Sequence, residues 1–427
     1  MIRSIIALIG CLFVTVGLSA QVEKAQEGTF ALTNATIVTV TNGTIEGGTL
    51  VIRDGQIAAL GSNVTVPSDA TTIDCTDHYI YPGMIDGGTR LGLSEVGSVS
   101  LTNDDNELGE FTPHMQALTA VNPNSAAIPV TRVNGVTSVI TVPTGGLFPG
   151  TASLINLVGY TPDQMFAGFK GVVMNFPNSG KRGWWDRRSE DEIKKAYEKN
   201  LKEINDIWGQ VELYMKVKEG DDAPYRPEMD AMIPVMEGDA ALMIDVDKAA
   251  DIKAAIKWVK EREIPKPIFT GVAEGWRVAE ELAEAGIPVI TGPVLSTPTR
   301  PSDRYDRPYA NAGLMHEAGV KVAIRTNEAE NVRNLPFNAG FAATYGLGKE
   351  EALKAVTINP AEMFGVDDKL GSLEVGKTAN LFVSTGDPFE MKSNIVYLFI
   401  DGYQVPIDSR HIQLYEEFLD RSPGVRK

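Results

Sequence analysis

The pattern of hydrophobic and polar positions divides the chain into three parts. Between residues 28 and 80, short β-branched runs alternate with turn signals, and Asp54-Gly55 separates two such runs as in a β-hairpin. From about residue 81 to 365, short apolar runs alternate with helical stretches, which is typical of parallel strands joined by helices. After residue 366 the chain returns to short strands around a second turn signal, Asp401-Gly402.

The length of the middle part decides between two α/β architectures. About 285 residues of strand and helix alternation favour a closed (β/α)8 TIM-like barrel over an open doubly wound sheet. The predicted fold is therefore α/β, with a barrel over residues 81–365 inserted in a small β-sandwich formed by residues 21–80 and 366–427. The predicted barrel strands are Ser138–Val142, Ala241–Ile244, Pro267–Phe269, Pro288–Ile290 and Val320–Ile324. The predicted helices are Glu190–Gln210, Lys248–Arg262, Gly275–Ala285, Tyr309–Ala318, Asn338–Tyr345 and Lys349–Thr357.

The first twenty residues have the pattern of a targeting segment. Arg3 precedes an apolar run from Ile5 to Leu18, and Leu18-Ser19-Ala20 ends it with small residues. Residues 1–20 therefore predict a secretory signal peptide, which implies export to the periplasm or the extracellular space and no membrane insertion after cleavage. An uncleaved membrane anchor is the alternative, although the run is shorter than the roughly 20 residues of a spanning helix. A lipoprotein cleavage site at Cys11 is a further alternative.

Charge and cysteine content narrow the partners and the redox chemistry. The 427 residues carry 39 Lys and Arg against 56 Asp and Glu, for a net charge of −17. This balance argues against nucleic acids and anionic membranes as partners. The basic and aromatic run Lys181–Arg188 is accordingly interpreted as a helix start, a subunit contact or an anchor for a substrate loop. Removal of residues 1–20 leaves Cys75 as the single cysteine, so an intramolecular disulfide is not expected.

Three segments carry a resemblance to a known family. They are Asp54–Gly61 leading into Tyr81–Asp86, then Ala352–Glu362, and finally Leu370–Leu381. In this order they resemble the amidohydrolase superfamily and, within it, the imidazolonepropionase-like group. The resemblance implies a metal-dependent hydrolase of C–N or C–O bonds in cyclic amides, dipeptides or similar substrates. It places the site at the mouth of the barrel, where the carboxyl ends of the strands meet.

The metal ligands that the resemblance implies are replaced in this chain. Gly88 and Arg90 occupy the positions of the His-x-His pair on the first strand, Asp245 that of a histidine on the fifth, and Asn327 that of an aspartate on the eighth. Glycine has no side-chain ligand, and arginine is always protonated and repels a cation. Of the four histidines, His114 is the one that could reach the mouth. No metal or other cofactor is expected, and the catalytic residues are unknown.

Two arrangements of the vacated site stay open. In the first, Arg90 replaces the charge of the metal and forms an internal ion pair with Asp245 or Asp86, because burying either charge alone is costly. In the second, both side chains face solvent at an open mouth. A further alternative keeps a divalent cation at an all-oxygen site made of Asp86, Asp245, Glu274 and Glu328.

Two functional hypotheses follow. The chain is either an exported hydrolase of non-peptide C–N bonds with weak or unconventional activity, or a non-catalytic family member. A non-catalytic member would bind a small-molecule ligand in the old pocket or serve as a partner subunit of an active paralogue; a homo-oligomer is also open. The replaced ligands favour the non-catalytic hypothesis, and the sequence leaves open whether the protein is an enzyme.

Overall fold

The structure is a computed structural model that describes residues 24–181, 186–218, 220 and 224–421. The predicted signal peptide of residues 1–20 and residues 182–185 of the basic and aromatic run lie outside the described residues. Within those ranges, no helix combines the length and the apolar character needed to cross a membrane.

The described strands form two eight-stranded sheets. In chain order they are β1 (Phe30–Val38), β2 (Thr44–Arg53), β3 (Gln56–Gly61), β4 (Thr71–Asp74), β5 (Tyr79–Pro82), β6 (Met84–Thr89), β7 (Val136–Thr141), β8 (Gly150–Asn156), β9 (Phe166–Asn175), β10 (Ala241–Val246), β11 (Pro267–Gly271), β12 (Val289–Thr291), β13 (Val322–Ile324), β14 (Leu381–Ser384), β15 (Ile395–Ile400) and β16 (Tyr403–Val405).

The described α-helices connect or flank these strands. They are α1 (Ala117–Ala120), α2 (Ala127–Arg132), α3 (Pro162–Met165), α4 (Glu190–Lys218), α5 (Pro227–Asp230), α6 (Ile233–Glu237), α7 (Ala249–Glu261), α8 (Ala279–Ala285), α9 (Arg307–Glu317), α10 (Leu335–Ala342), α11 (Lys349–Lys354), α12 (Ile358–Met363) and α13 (Arg410–Asp420). Short 3-10 helices cover Ser100–Thr102, Gly275–Arg277 and Val332–Asn334, and a kinked π-helix covers Ala343–Leu347.

The first sheet is built from both ends of the chain, as predicted. Its strand order is β16-β15-β14-β5-β1-β2-β3, and β4 pairs with β1 in parallel. Its apolar side chains form a core of their own, in which the rings of Phe30 and Phe399 meet edge to face at 5.2 Å between centroids. The sheet therefore ties residues near the start of the described chain to residues near its end.

The second sheet is a nearly closed barrel in the order β6 to β13, which confirms the predicted barrel. One strand departs from the ideal: β8 runs antiparallel to both neighbours, β7 and β9, whereas the other pairs are parallel. Between β6 and the segment after β13, the amide of Asn327 donates to the Gly88 carbonyl at 3.0 Å and the amide of Arg90 donates to the Glu328 carbonyl at 2.8 Å. These two bonds join the edges of the barrel at its mouth.

Alternation along the barrel strands determines which side chains reach the mouth. Met243, Ile268 and Ala323 pack in the barrel interior, and their sequence neighbours pack outward against the helices. Successive side chains of a strand point to opposite faces, so the residues two positions further on face inward at the carboxyl end. On β10 this residue is Asp245, and immediately after β13 it is Arg325.

A buried polar network joins the barrel to the first sheet. Asn156 on β8 accepts hydrogen bonds at Oδ1 from Ser138 (2.7 Å) and from Asn380 (2.9 Å), and its Nδ2 donates to Asp401 at 2.7 Å. Asn156 and Asn380 are 5% and 6% exposed. Burial also raises the pKa of Asp401, although the Asn156 hydrogen bond opposes the rise. Asn156 therefore couples the two sheets.

Asn156→Ala is expected to lower the free energy of unfolding by about 1–3 kcal/mol, because it leaves buried polar partners without their hydrogen bonds. Urea unfolding followed by circular dichroism measures the change. The same substitution at exposed Asn63 is the matched control and is expected to have little effect. Equal stability of the two variants would contradict a coupling role for the network.

Candidate functional site at the mouth of the barrel

An ion pair between Arg325 and Asp245 crosses the mouth of the barrel. Arg325 Nη2 lies 2.8 Å from Asp245 Oδ2, and the hydroxyl of Thr270 donates to the same oxygen at 3.0 Å. The Arg325 side chain is 8% exposed and that of Asp245 is 34% exposed. A guanidinium buried to this extent requires a charge partner, and Asp245 supplies it.

Two glycines of β6 leave space for neighbouring side chains, Gly88 for Arg325 and Gly87 for Ile290. A Cβ on Gly88 would lie 3.2 Å from Cδ of Arg325, and one on Gly87 would lie 2.5 Å from Cγ2 of Ile290. The position that the resemblance assigns to a histidine is therefore bordered by the stem of an arginine. A longer side chain at residue 88 would compete with Arg325 for the same space.

The predicted ion pair of Arg90 with Asp245 or Asp86 is wrong. In the described part of the chain Arg90 forms no ion pair, and its Nε is buried without a hydrogen-bond partner. The pairing register between β6 and β7 shifts between Asp86 and Thr89, so one extra residue lies on β6. Such a bulge changes the face to which the following side chains point. The resemblance placed Arg90 at the second position of the His-x-His pair, whereas in the structure Arg325 pairs with Asp245.

Asp86 lies beneath the mouth and is fully buried. It accepts hydrogen bonds from the amide of Gly88 at 3.0 Å and from the hydroxyl of Thr326 at 2.6 Å, and the Thr326 amide also donates to it. Burial raises the pKa of Asp86 to about 7, although these hydrogen bonds and the charge of Arg325 oppose the rise. Asp86 thus fastens β6 to the segment after β13, away from solvent.

Glu274 is part of the wall of the mouth. Its Oε1 accepts from Arg300 Nε at 2.6 Å and from the Thr299 hydroxyl at 2.9 Å, and its Oε2 accepts from the Ala249 amide at the start of α7. Burial alone would raise its pKa, but Arg300, Ala249 and Thr299 more than offset this, and the net shift is downward. Glu274 is therefore an ionised, fully bonded structural group.

The turn after β11 is strained and fixed in place. Val272 adopts φ 51°, in the left-handed region that β-branched residues rarely occupy. Its carbonyl accepts from Asn311 Nδ2 at 2.9 Å, and Asn311 Oδ1 accepts from the amide of Trp276 at 2.8 Å. This turn sets the position of the Trp276 ring beside the mouth.

A cavity of about 150 Å³ opens beside the Arg325–Asp245 pair, and we refer to it as the mouth cavity. Asp247, Trp276, Arg307, Arg325 and Asn327 are among its lining residues. The Asp247 side chain is exposed at the cavity, although the surrounding mouth withdraws bulk water from its carboxylate. Burial within the mouth and repulsion from Asp245 raise the pKa of Asp247 to about 6, against the opposing charge of Arg325.

The remaining predicted site residues have modest roles. Asn327 is exposed in the left-handed region at φ 55°, which asparagine tolerates, and Glu328 contributes its backbone carbonyl to the bond with Arg90. His114 does not reach the mouth: it lines a cleft on the barrel flank together with Tyr225. A further cavity of about 730 Å³ lies at the opposite end of the barrel, at the amino ends of β10 to β13.

Three carboxylates at or near the mouth are already engaged by neighbouring donors. Asp245 is bound by the Arg325 guanidinium, Glu274 by Arg300, and Asp86 is enclosed by Thr326. Within the described ranges, no three His, Cys, Asp or Glu side chains converge as a metal-binding group. The alternative oxygen site made of Asp86, Asp245, Glu274 and Glu328 is accordingly not assembled there. A guanidinium at this position also repels a cation.

Comparisons with known proteins agree with this architecture. A family model described as "Amidohydrolase family" matches residues 79–405. The solved structure of an amidohydrolase from Thermotoga maritima MSB8 superposes with a TM-score of 0.77 at 27% identity, over 88% of this chain and 99% of that one.

Two further relatives show more limited similarity. Amidohydrolase tasK from Hapsidospora irregularis is 23% identical over 391 residues, which cover 83% of this chain and 39% of the relative. An imidazolonepropionase from Syntrophobacter fumaroxidans is 37% identical over 109 residues, covering 25% of this chain and 24% of the relative. The matched part of the chain thus spans well under half the length of either of these relatives.

The raised pKa of Asp86 predicts a pH dependence of folding. The folded chain holds this proton more tightly than the unfolded chain, whose carboxyl titrates near 3.8. The stability that Asp86 contributes is therefore greatest below about pH 4 and is lost as the pH rises towards 7. Relative to the wild type, Asp86→Asn is expected to gain roughly 1 kcal/mol per pH unit across this window.

Urea unfolding at several pH values between these limits measures this difference. Asp69→Asn, on an exposed carboxylate, is the control and is expected to follow the wild-type curve. A constant difference between Asp86→Asn and the wild type at all pH values would show that Asp86 does not titrate in this range.

Proposed function

The chain belongs to the amidohydrolase family, and from this premise we propose that it is a metal-free member whose barrel mouth binds a small molecule. Family membership supports a hydrolase function in general terms. The residues of the mouth support the narrower proposal, in which binding is retained and metal-dependent hydrolysis is absent or weak.

The Arg325–Asp245 ion pair is the observation that carries this proposal. The guanidinium of Arg325 is a buried positive charge near the position at which the resemblance implies a divalent cation. It also pairs with the carboxylate of Asp245, which stands at one ligand position. The stem of Arg325 also lies against Gly88, at a second ligand position. The Arg325 side chain therefore lies against two of the four positions whose metal ligands are replaced, Gly88 and Asp245.

Magnitudes indicate what such a replacement costs in rate. A bound metal lowers the pKa of water from about 15.7 to about 7 and also polarises the scissile carbonyl. A carboxylate acting alone as a general base contributes about 10²- to 10⁴-fold. Asp86, which is fully buried behind Thr326, is not placed to receive a proton from a substrate water. Residual hydrolysis is therefore expected to be slow.

The cellular setting is a further part of the proposal. The pattern of residues 1–20 supports export to the periplasm or the extracellular space. In that setting, the protein would act as a ligand-binding protein, alone or as a homo-oligomer, or as a partner subunit of an active paralogue. The acidic net charge argues against nucleic acid as a partner.

Elemental analysis by plasma mass spectrometry tests the metal-free mouth directly. Protein purified without chelator and without affinity-metal resin is expected to contain well under one equivalent of Zn, Mn, Fe, Co or Ni, because its mouth presents a guanidinium to a cation. Incubation with excess Zn²⁺ followed by gel filtration is expected to give the same result. A stoichiometric transition metal that is lost in Asp245→Asn would overturn the proposal.

Restoring the ligands tests the role of Arg325. A variant with Gly88→His, Arg90→His, Asp245→His and Asn327→Asp is expected to remain poor in zinc, since Arg325 still borders residue 88 and repels a cation. Adding Arg325→Ala is expected to raise zinc binding at least tenfold, measured by competition with a chromogenic chelator. Circular dichroism of both variants verifies folding. Equal zinc affinity of the two would show that Arg325 does not exclude the metal.

A further inference from the structure

The mouth cavity carries one positive and one negative side chain that the wall does not neutralise. Among the described residues, Arg307 has no carboxylate partner, and the hydrogen bond received by the Asp247 carboxylate comes from the backbone amide of Ala273 at 3.3 Å. The other charges are matched: Asp245 pairs with Arg325, Glu274 with Arg300, and Asp303 with Arg277.

The Trp276 ring orients the guanidinium of Arg307 so that it can bind a planar anion. Its guanidinium lies 4.6 Å from the centroid of the Trp276 ring, on which Arg277 also stacks at 4.1 Å. Stacking orients the plane of the guanidinium and leaves its N–H edge free to donate. This edge matches a carboxylate, to which arginine donates two parallel hydrogen bonds.

Asp247 offers the complementary contact. Its carboxylate accepts hydrogen bonds and does not donate them when ionised, so a ligand ammonium is the group it recognises best. A Cβ on Gly271 would lie 2.5 Å from Asp247 Oδ1 and 3.1 Å from Arg325 Nη2. The missing side chain at Gly271, which has φ 84°, thus lets Asp247 approach the Arg325–Asp245 pair.

From these contacts we propose that the mouth cavity binds a free α-amino acid, with its carboxylate on Arg307 and its ammonium on Asp247. The cavity of about 150 Å³ corresponds to the space of about five water molecules, which suits a small amino acid rather than a larger peptide. Arg307 and Asp247 line this one cavity, which is why both charges are assigned to a single zwitterion. Hydroxyl-bearing loop residues Ser296, Thr297 and Thr299 line the same cavity and supply further polar contacts.

This inference rests on the proposed metal-free mouth, and the two can be tested separately. Isothermal titration calorimetry on the full chain uses glycine, L-alanine, L-serine and L-proline as probes, and the metal content of the same preparation is measured in parallel. At least one probe is expected to bind. If no probe binds to metal-free protein, the amino-acid inference fails while the proposed function stands; stoichiometric metal would overturn the proposed function.

Two probes matched in size to L-alanine separate the charges. L-Alaninamide lacks the carboxylate, and L-lactate replaces the ammonium by a hydroxyl. Each is expected to bind about tenfold or more weakly than L-alanine, because a charge-assisted hydrogen bond is lost. Equal binding of L-lactate would identify a site for monocarboxylates, equal binding of L-alaninamide a site for amines, and either result would overturn the inference.

Variants connect each charge to its residue. Arg307→Met is expected to abolish the difference between L-alanine and L-alaninamide while the difference between L-alanine and L-lactate persists; Asp247→Asn is expected to do the reverse. Arg304→Met, on an exposed neighbouring arginine, and Asp239→Asn, at the opposite end of the barrel, are the matched controls.

Arg307→Lys keeps the positive charge and provides a second test if Arg307→Met does not fold. It is expected to retain part of the preference for L-alanine over L-alaninamide. A full preference in either Arg307 variant would overturn the assignment of the carboxylate to Arg307, and the probe series on the wild-type protein is independent of both.

Discussion

A buried guanidinium has to be neutralised where it lies, and in this protein that requirement organises the mouth of the barrel. Arg325 leaves the end of β13 and meets Asp245 on β10 at 2.8 Å. Gly88 on β6 has no side chain to obstruct the arginine stem, and Gly271 at the end of β11 lets the guanidinium lie close to the backbone. Four barrel strands are thus adapted to one side chain, because an unpaired charge at this depth would cost several kcal/mol.

The other charges of the mouth divide into those that build it and those left for a ligand. Arg300 forms an ion pair with Glu274, which also accepts a hydrogen bond from the first turn of α7. Arg277 forms an ion pair with Asp303. These pairs behave as parts of the wall. Arg307 on its tryptophan and Asp247 beside the central pair remain open to the cavity. Such a pocket selects ligands by the positions of their charges. A ligand whose charged groups do not match leaves Arg307 or Asp247 unpaired.

Local patterns predicted the scaffold well, since strand alternation and turn signals depend on neighbouring residues. The reversed strand β8 was not predicted. Gly150–Asn156 is followed only by the four-residue helix α3, so the sequence there lacks the helical periodicity that marks a strand–helix–strand unit. In the site, the replaced positions Gly88 and Asp245 lie at the mouth, but the partner of Asp245 was assigned to the wrong arginine. The bulge in β6 depends on pairing with β7, which a single strand does not reveal. The alternation Val322-Ala323-Ile324-Arg325 was the available signal for Arg325.

The reversed strand also bears on the order in which the barrel assembles. β7, β8 and β9 pair as a meander through short connections, whereas the contact between Phe30 and Phe399 joins opposite ends of the chain. Closing a long loop costs entropy before its contacts form, so local pairings form faster than distant ones. A parallel barrel offers few local strand pairs of this kind. Pairing within the meander therefore closes only short loops, whereas the sheet made from both ends requires closure of most of the chain.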